Sequence, residues 1–317
     1  MAVSPDLPPA VLLMGATGTG KTALAVELVQ RLPLSIISVD SAMVFRGMDI
    51  GTAKPGPEVL AVAPHRLIDI VDPADSYSAA RFRADALREM AAITAAGRVP
   101  LLVGGTGLYF RALERGLTVL PAADPGLRAR LGQEVATTGL APMYRRLRVV
   151  DPATADRLHA NDRQRILRAL EVCELAGRPM SAILDGGPGT ALPYRLVKLI
   201  LDPRDRDRLR LRCADRFRAM LGRGFIDEVR TLLARGDLHP ELPSMRVVGY
   251  RQALEYLQGK YGYDDMVRRA VIATHQLAKR QQTWLRAEPG ALRLDPERAD
   301  LTAFAIGIIE RGLGLSN

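Results

Sequence analysis

Apolar runs and amphipathic stretches alternate along the first 110 residues of the chain. The run AVLLMG (Ala10–Gly15) is short and continuous, as in a strand that is buried on both faces of a sheet. The stretch that follows it, KTALAVELVQRL, carries leucines and valines at helical spacing from Leu24 to Leu32. The pattern therefore predicts a buried strand, a glycine-rich turn and an amphipathic helix, in that order.

Three more apolar runs predict strands in the same part of the chain. LSIISVD (Leu34–Asp40) is rich in β-branched residues, HRLIDIVDP indicates a third short strand, and VPLLVGG (Val99–Gly105) ends in a glycine turn. Between them, SAARFRADALREMAAITAAG predicts a helix with Ser78 as its N-cap and Gly97 as its stop. Strands that alternate with helices indicate a parallel sheet flanked by helices.

The pattern changes after residue 110. The segments LRARLGQEVATTG, APMYRRLRVV and NDRQRILRALEVCELAG predict helices with basic faces. YRLVKLILD (Tyr194–Asp202) returns to strand composition, so we expect it to rejoin the sheet, and mostly helical patterns follow it as far as Trp284. We therefore predict a core of residues 1–110 and 191–317, which includes the C-terminal helices, and a helical insertion of residues 111–190.

Composition narrows the class of protein. The chain has 317 residues, of which 48% are hydrophobic and 5% aromatic, so the core must be mostly aliphatic. The two cysteines, Cys173 and Cys213, are too few for a disulfide framework or a four-cysteine zinc site. The start MAVSPDLPPA does not have the pattern of a signal peptide, and no apolar stretch approaches the roughly 20 residues of a membrane span. We expect a cytoplasmic protein with reduced thiols, no membrane association and, by default, a monomeric state.

Charge is unevenly distributed along the chain. Residues 1–110 carry a net charge of −1, residues 111–178 carry +4 and residues 195–286 carry +9. A basic surface is often no more than a solvated one. Beside a phosphate-binding loop, however, it favours a polyanionic partner such as nucleic acid.

The glycine turn after the first strand carries the clearest motif. GATGTGKT fits G-x-x-x-x-G-K-[ST], in which backbone amides and a helix N-terminus bind phosphate oxygens. The lysine contributes a positive charge, and the last hydroxyl can reach a Mg²⁺ ion. The predicted fold is therefore α/β, with a P-loop NTPase-like parallel sheet. The predicted phosphate-binding residues are Gly15, Ala16, Thr17, Gly18, Thr19, Gly20, Lys21 and Thr22.

The loop does not reveal whether the bound phosphates belong to ATP. The strand PLLVGG ends in glycines and Thr106, where an ATPase would have the acid of a Walker-B motif. The guanine-reading motif Asn-Lys-x-Asp is also absent. These absences disfavour motor ATPases and switch GTPases, while a small-molecule kinase stays possible.

Asp40 and Thr106 each follow the carboxyl end of a predicted strand. In open parallel sheets the ligand crevice lies outside these strand ends, so both side chains should face the crevice of the phosphate loop. A carboxylate there can act as a general base or help to hold Mg²⁺. The alternative is that Asp40 only caps the following turn.

An arginine-rich stretch, PRDRDRLRLRCADRFR, begins at Pro203. Most of its arginines should lie on a solvated helix face, and one that faces the crevice could bind a phosphate in a bidentate manner. Composition does not identify which one. The four histidines lie far apart, so we expect structural or surface roles for them and no metal cluster.

Taken together, these motifs resemble the tRNA dimethylallyltransferase family, also called the tRNA isopentenyltransferases. The resemblance covers about residues 11 to 287. DSA…GMDIGTAKP together with GGTGLY is its most specific part. The segments that carry it, in order, are GATGTGKT, ISVDSAMVFRGMDIGTAKP, PHRLIDI, YSAARF, LLVGGTGLYFRAL, NDRQRILRALEV, RVVGYRQALEYL and QLAKRQQTWLR.

This resemblance implies a prenyltransferase that uses no ATP. Such an enzyme moves the dimethylallyl group from dimethylallyl diphosphate to N6 of adenosine 37 in tRNA, next to the anticodon, and releases diphosphate. It implies Mg²⁺ as cofactor and the anticodon stem-loop of tRNA as partner. The basic helices would then bind the phosphates of the stem, with a strong dependence on salt.

The resemblance also implies roles for individual residues. The implied catalytic residues are Asp40, Thr106 and Arg216. Asp40 would be the base that takes the N6 proton, Arg216 would bind the diphosphate, and Thr22 would bind Mg²⁺. Thr17 to Thr22 would hold the diphosphate. The implied tRNA contacts are Asp40, Ser41, Ala42, Met43, Thr106, Arg128, Gln164, Arg165, Ile166, Leu167, Arg168, Arg246, Val247, Val248, Gly249, Tyr250 and Arg251.

The sequence departs from the family pattern at a few positions. Ala16, Gly18 and Thr19 stand where the loop usually has Pro, Ala and Ser, which leaves the backbone donors in place. Phe45 stands where Tyr is usual, which removes a hydroxyl group and any hydrogen bond assigned to it. The paired-Cys, paired-His zinc finger of eukaryotic relatives is absent, so no zinc is expected.

Three other functions stay open on the sequence alone. An enzyme that prenylates free adenosine phosphates would share the loop but would not need the basic helices. A small-molecule kinase is favoured by the loop only. A non-catalytic RNA-binding protein would explain the basic charge but not Asp40 beside the loop.

Overall fold

A six-stranded, entirely parallel sheet organises the larger part of the chain in the computed structural model, which describes residues 7–118, 120–187 and 190–314. The order of strands across the sheet is β3-β2-β4-β1-β5-β6. The strands are β1 (Pro9–Gly15), β2 (Leu34–Val39), β3 (His65–Arg66), β4 (Val99–Gly104), β5 (Arg195–Leu201) and β6 (Leu292–Leu294).

Helices account for most of the other described residues. They are α1 (Lys21–Arg31), α2 (Pro57–Val62), α3 (Ala79–Ala95), α4 (Gly107–Arg115), α5 (Pro125–Thr138), α6 (Leu140–Val150), α7 (Pro152–Arg157), α8 (Arg163–Ala176), α9 (Met180–Leu184), α10 (Arg206–Gly222), α11 (Phe225–Leu233), α12 (Tyr250–Leu257), α13 (Tyr263–Arg286) and α14 (Leu301–Leu313). In the described part of the chain, every helix is too short or too polar to cross a membrane. The first six residues of the start MAVSPDLPPA lie outside that part.

The chain divides into two compact units. One consists of residues 1–113 and 193–317 and contains the sheet, and the other consists of residues 114–192 and is helical. This division falls a few residues from the boundaries predicted at 110 and 191. At the first boundary, α4 continues to Arg115, beyond the position at which the sequence pattern changes.

The sheet unit is built largely as the apolar runs predict, although the predicted third strand, HRLIDIVDP, is reduced to His65–Arg66. β1 lies between β4 and β5, and its residues from Ala10 to Met14 are completely buried. Leu24 and Leu28 of α1 and Ile309 of α14 pack into one cluster with the strand residues. Strands that are covered on both faces carry continuous apolar sequence, which is why the central strands were predictable.

The two C-terminal elements were not predicted. β6 is a three-residue edge strand whose Leu292 is 52% exposed. The sequence therefore contains no continuous apolar run that would indicate this strand. α14 packs Ala305, Ile308 and Ile309 against the cluster that covers the sheet. Both elements lie beyond Trp284, where the sequence patterns gave no prediction.

The helical unit has its own core. Its central leucines and methionine come from α5, α6 and α8, and include Leu131, Met143 and Leu147. The completely buried Asp151 accepts hydrogen bonds from the amide of Thr154 (3.0 Å) and from the amide (2.9 Å) and hydroxyl (2.7 Å) of Ser181. One carboxylate therefore joins the start of α7 to the start of α9.

Candidate active site

A cavity of about 920 Å³ opens at the carboxyl ends of β1, β2 and β4. This is the edge of a parallel sheet at which ligands usually bind, and the volume is typical of a small-molecule site. The sheet unit supplies its lining. Among the residues that line it are Thr17, Gly18, Gly20, Lys21, Thr22, Asp40, Ser41, Ala42, Met43, Thr106, Arg216, Arg246, Val247 and Val248, all predicted from the sequence.

The phosphate loop lies between β1 and α1, as predicted. Gly18 and Gly20 have φ angles of 82° and 86°, in the left-handed region that glycine adopts without strain. A Cβ on Gly18 would also lie 3.0 Å from the sulfur of Cys213, so the loop packs closely against α10. Within the loop, the hydroxyl of Thr19 donates a 2.8 Å hydrogen bond to the carbonyl of Ala16.

Lys21 is the cation of this loop. Its ammonium group donates a 2.7 Å hydrogen bond to the carbonyl of Ala16. Burial lowers the pKa of Lys21 to about 8, while the Asp40 carboxylate acts to raise it and the Arg216 guanidinium acts to lower it. An anion bound in the loop would favour the charged form of the lysine. Binding of phosphate and protonation of Lys21 are therefore coupled.

Arg216 is the arginine of the arginine-rich stretch that reaches the phosphate loop. It donates a hydrogen bond from Nη2 to the hydroxyl of Thr17. Its neighbours on α10 pair elsewhere: Arg210 with Asp207 and Arg218 with Asp215, both in exposed pairs three residues apart. Arg212 also lines the cavity but pairs with Glu297, whereas Arg216 bonds to the loop itself.

Asp40 caps a turn and also lines the cavity. Its Oδ1 accepts hydrogen bonds from the amides of Ala42 (2.8 Å) and Met43 (3.3 Å), so the carboxylate caps the turn after β2. Its Oδ2 accepts no hydrogen bond from the residues that the structure describes. One oxygen therefore holds the turn while the other is available to a ligand in the cavity.

Thr106 lies beside Asp40, as expected for two strand ends of one sheet. Its hydroxyl accepts a 3.2 Å hydrogen bond from the amide of Ser41, and its own amide donates to the carbonyl of Val39 at 3.3 Å. The turns after β2 and β4 are thereby joined. Ser41, Ala42 and Met43 line the same wall of the cavity.

Two residues that no sequence argument singled out hold the long segment after β2. The buried ammonium group of Lys54 donates to the carbonyl of Phe45 (2.9 Å) and to the carboxylates of Asp49 (2.6 Å) and Asp69. Glu228 of α11 accepts hydrogen bonds from three successive amides, those of Asp49, Ile50 and Gly51. These contacts order a segment that forms part of the cavity wall. The segment GMDIGTAKP carried the resemblance, but nothing in it indicated this arrangement.

One face of α13 also lines the cavity. The residues of this face recur at helical spacing, and sequence reasoning assigned no role to any of them. They are Thr274, Leu277, Arg280, Gln281 and Trp284. The segment QLAKRQQTWLR contains four of them, so the helical spacing could have indicated a shared face but not what that face contacts.

His65 also lines the cavity, where the sequence indicated only a structural or surface role. Its Nδ1 lies 2.7 Å from the carbonyl of Ala63. Burial lowers the pKa of His65, against the opposing effect of that hydrogen bond. His65 therefore contacts the backbone of a neighbouring residue and also forms part of the cavity wall.

The segment from Arg246 to Arg251 is divided between surface and core. Arg246, Val247 and Val248 line the cavity. Gly249 and Tyr250 are buried, and the Tyr250 hydroxyl donates to Glu228. Arg251 is exposed beside Glu255. The predicted tRNA contact is therefore limited to the exposed members, because a buried tyrosine presents no side-chain surface.

The remaining predicted tRNA contacts, Arg128 and residues 164–168, belong to the helical unit. The buried carboxylate of Glu171 accepts hydrogen bonds from Arg128 (2.8 Å) and Arg168 (2.7 Å). Burial acts to raise the pKa of Glu171, but the hydrogen bonds from Arg168 and Arg128 outweigh it and the pKa lies below its ordinary value. Gln164 and Arg165 are exposed and Leu167 is half-buried, whereas Ile166 is completely buried in the unit's core.

The donor set of the cavity suits a hard cation that is held largely by its substrate. No group of three or more His, Cys, Asp or Glu side chains that could hold a metal ion exists among the described residues. Thr22 offers a hydroxyl oxygen at the start of α1, within the cavity. Mg²⁺ commonly takes one or two protein oxygens, water and substrate phosphates, so these residues fit it.

Comparison with known protein families gives two overlapping matches. A family model described as "IPP transferase" matches residues 43–288. A second, described as "Isopentenyl transferase", matches residues 9–67. A tRNA dimethylallyltransferase of Thioalkalivibrio sulfidiphilus is 61% identical over 299 residues, which is 94% of this chain and 93% of the relative.

Solved structures of the same kind superpose over nearly the whole chain. The full-length tRNA isopentenylpyrophosphate transferase of Bacillus halodurans is 34% identical, with a TM-score of 0.70 and coverage of 97% and 98% of the two chains. A tRNA isopentenylpyrophosphate transferase of Staphylococcus epidermidis is 29% identical, with a TM-score of 0.69 and coverage of 98% and 100%. A eukaryotic dimethylallyltransferase acting on tRNA is 26% identical, with a TM-score of 0.80, over 98% of this chain and 80% of that one.

Proposed function

The chain belongs to the IPP transferase family, and we propose that it transfers the dimethylallyl group of dimethylallyl diphosphate to N6 of adenosine 37 in tRNA, next to the anticodon. Diphosphate is the second product. One observation carries the proposal: a carboxylate with a free oxygen, that of Asp40, faces the same cavity as Lys21 and Arg216 of the phosphate-binding region. A base and a site for a charged leaving group are what this reaction needs.

The leaving group is the first chemical requirement. As the bond between the allylic carbon and the diphosphate oxygen breaks, negative charge develops on diphosphate. In this proposal the loop amides, Lys21 and Arg216, which line the same cavity, stabilise that charge. Because the fold holds these side chains through their own hydrogen bonds, little reorganisation would be needed during the reaction.

The nucleophile is the second requirement. The exocyclic amine of adenine is weak because its lone pair is delocalised into the ring. As the new bond between nitrogen and carbon forms, Oδ2 of Asp40 takes the N6 proton, while Oδ1 keeps its hydrogen bonds to the turn. The carboxylate can thus act as a base without losing its position.

Mg²⁺ is part of the proposal. Thr22 would hold it together with the oxygens of diphosphate, and the ion would supply positive charge to the leaving group. Thr106 and the segment from Asp40 to Met43 would contact the acceptor base. A stacked base cannot reach a deep cavity, so adenosine 37 must be extruded from the anticodon loop.

The basic charge supports the choice of tRNA over a free nucleotide. A small acceptor such as AMP needs neither the +4 of residues 111–178 nor the +9 of residues 195–286. Arg128, Gln164, Arg165, Arg168 and Arg251 would contact the phosphates of the anticodon stem. We further propose that the protein is a cytoplasmic monomer.

The test is direct. Purified protein should convert unmodified tRNA to N6-dimethylallyladenosine with dimethylallyl diphosphate and Mg²⁺, in the absence of ATP, as read by nucleoside mass spectrometry. AMP as acceptor distinguishes a free-nucleotide prenyltransferase, and ATP with no prenyl donor distinguishes a kinase. Absence of product on a tRNA that carries adenines beside its anticodon would contradict the proposal.

A further inference from the structure

Gln281 of α13 bonds to two loops at once. Its Oε1 accepts a 2.8 Å hydrogen bond from the amide of Thr17 in the phosphate loop. Its Nε2 donates a 3.0 Å hydrogen bond to the carbonyl of Gly105 in the turn after β4. A single carboxamide therefore spans two strand ends that belong to different parts of the sequence.

The packing around this bridge is close enough to determine the residue at position 105. A Cβ on Gly105 would lie 2.4 Å from Nε2 of Gln281 and 2.9 Å from the carbonyl oxygen of Gly15. Real Cβ atoms do not approach other atoms so closely. The bridge thus requires glycine where the turn after β4 meets α13.

Each end of the bridge leads to a group of the proposed reaction. On one side, Thr17 accepts a hydrogen bond from Arg216 through its hydroxyl. On the other side, Gly105 is followed by Thr106, whose hydroxyl accepts from the amide of Ser41, next to Asp40. Gln281 lies between the site of the leaving group and the site of the base, and contacts the loops that carry both.

The chemistry of the side chain suits this place. A carboxamide is neutral and carries an acceptor and a donor at fixed positions, so it can satisfy an amide and a carbonyl simultaneously. A carboxylate would lose the donor and add negative charge beside a diphosphate site. Because the backbone amide of Thr17 donates its hydrogen bond to Gln281, phosphate would be bound by the amides of the other loop residues.

On the basis of the proposed function, we propose that Gln281 is a positioning residue of the transfer reaction. It fixes the phosphate loop relative to the turn that supports Asp40, without touching the reacting atoms. Reacting groups must approach within about 3.5 Å in the correct orientation, and a displacement of about 1 Å can cost about 100-fold in rate. The two hydrogen bonds of Gln281 would hold the phosphate loop and the turn after β4 at the separation that the reaction needs.

The expected signature is a loss of turnover without a matching loss of binding. Replacing Gln281→Met keeps the length of the side chain and removes both hydrogen bonds. We expect kcat to fall about tenfold or more, while the KM for tRNA and the Kd for inorganic diphosphate change less than about threefold. Gln282→Met is the matched control, because Gln282 lies on the same helix outside the cavity lining.

A double-mutant cycle separates positioning from a general structural effect. In an Asp40→Asn background, Gln281→Met should reduce the residual single-turnover rate less than about twofold, because no base is left to position. A merely structural role predicts the full loss in both backgrounds. Should Gln281→Met fail to fold, Gln281→Asn, which is one methylene too short to reach both partners, replaces it in the same cycle.

The outcomes distinguish this inference from the proposed function. Wild-type protein without transferase activity contradicts the proposed function. Active wild-type protein together with a Gln281→Met variant of unchanged kcat contradicts the positioning role. A variant whose kcat is unchanged but whose affinity for diphosphate falls would assign Gln281 to binding instead, and would also overturn the inference.

Discussion

Arg216 on α10 donates a hydrogen bond to the hydroxyl of Thr17 in the phosphate loop, across 199 positions of sequence. The contact depends on the packing of α10 against the loop, where Ala16, Leu209 and Cys213 form one small buried cluster. A guanidinium that is held in this way lies beside the proposed diphosphate site. It can stabilise developing charge without a prior rearrangement.

We expect Arg216→Ala to lower kcat/KM for dimethylallyl diphosphate about 100-fold, because a charged donor to the leaving group is lost. Arg216→Lys should recover only part of this loss, since an ammonium group cannot make the two parallel contacts of a guanidinium. Steady-state kinetics with saturating tRNA measure the effect. Arg218→Ala is the control: this arginine lies on the same helix, in an exposed pair with Asp215, and its replacement should leave the kinetics unchanged.

Asp40→Asn tests the base while retaining the turn. The amide oxygen of asparagine can still accept hydrogen bonds from Ala42 and Met43, so the fold and the affinity for tRNA should be preserved. Turnover should fall about 1,000-fold, because a neutral amide cannot take the N6 proton. Filter binding and single-turnover assays on one preparation make the comparison. Equal losses of binding and turnover would assign Asp40 to tRNA binding instead.

The difference between Asp40 and Arg216 shows how far sequence reasoning reaches. Asp40 follows a continuous apolar strand, and the rules for parallel sheets then place it in the crevice. Arg216 lies among many arginines, and its orientation is set by the phase of α10, in which Leu209, Cys213 and Phe217 form the buried stripe. The resemblance identified it, whereas composition did not.

Gln281 and Glu228 make contacts that such reasoning does not reach. Gln281 and Thr17 are separated by 264 positions, and Glu228 and Ile50 by 178. Each contact joins a polar side chain to backbone groups of a distant segment. Backbone partners leave no pattern in the sequence, so only the folded chain reveals these contacts.

Lys21 predicts a pH dependence of anion binding. Burial holds its pKa at about 8, and a bound anion raises that value, so binding takes up a proton above pH 8. The affinity for inorganic diphosphate should therefore fall as the pH rises from about 8 towards 10, by up to about tenfold per unit. Isothermal titration calorimetry in buffers of different ionisation heat measures both affinity and proton uptake.

Lys21→Arg provides the control for this titration. Arginine stays charged throughout that range, so the part of the pH dependence that comes from Lys21 should disappear. The ionisation of diphosphate itself remains in both proteins and cancels in the comparison. Identical pH profiles for the two proteins would contradict the role assigned to the lysine.

Asp151 gives a prediction for the stability of the helical unit. Replacing it with alanine removes three hydrogen bonds and leaves buried donors of Thr154 and Ser181 unsatisfied, so we expect a loss of about 3 kcal/mol in the free energy of unfolding.

Burial acts to raise the pKa of Asp151, but these hydrogen bonds outweigh it and hold the pKa below its ordinary value of 3.8. The carboxylate therefore contributes its stability above about pH 4, and that contribution is lost as the pH falls through the lower pKa of the folded protein. Urea unfolding at a series of pH values measures both effects, with the exposed Asp156→Ala on α7 as control. Equal stabilities of the two variants would show that the buried carboxylate does not hold the unit together.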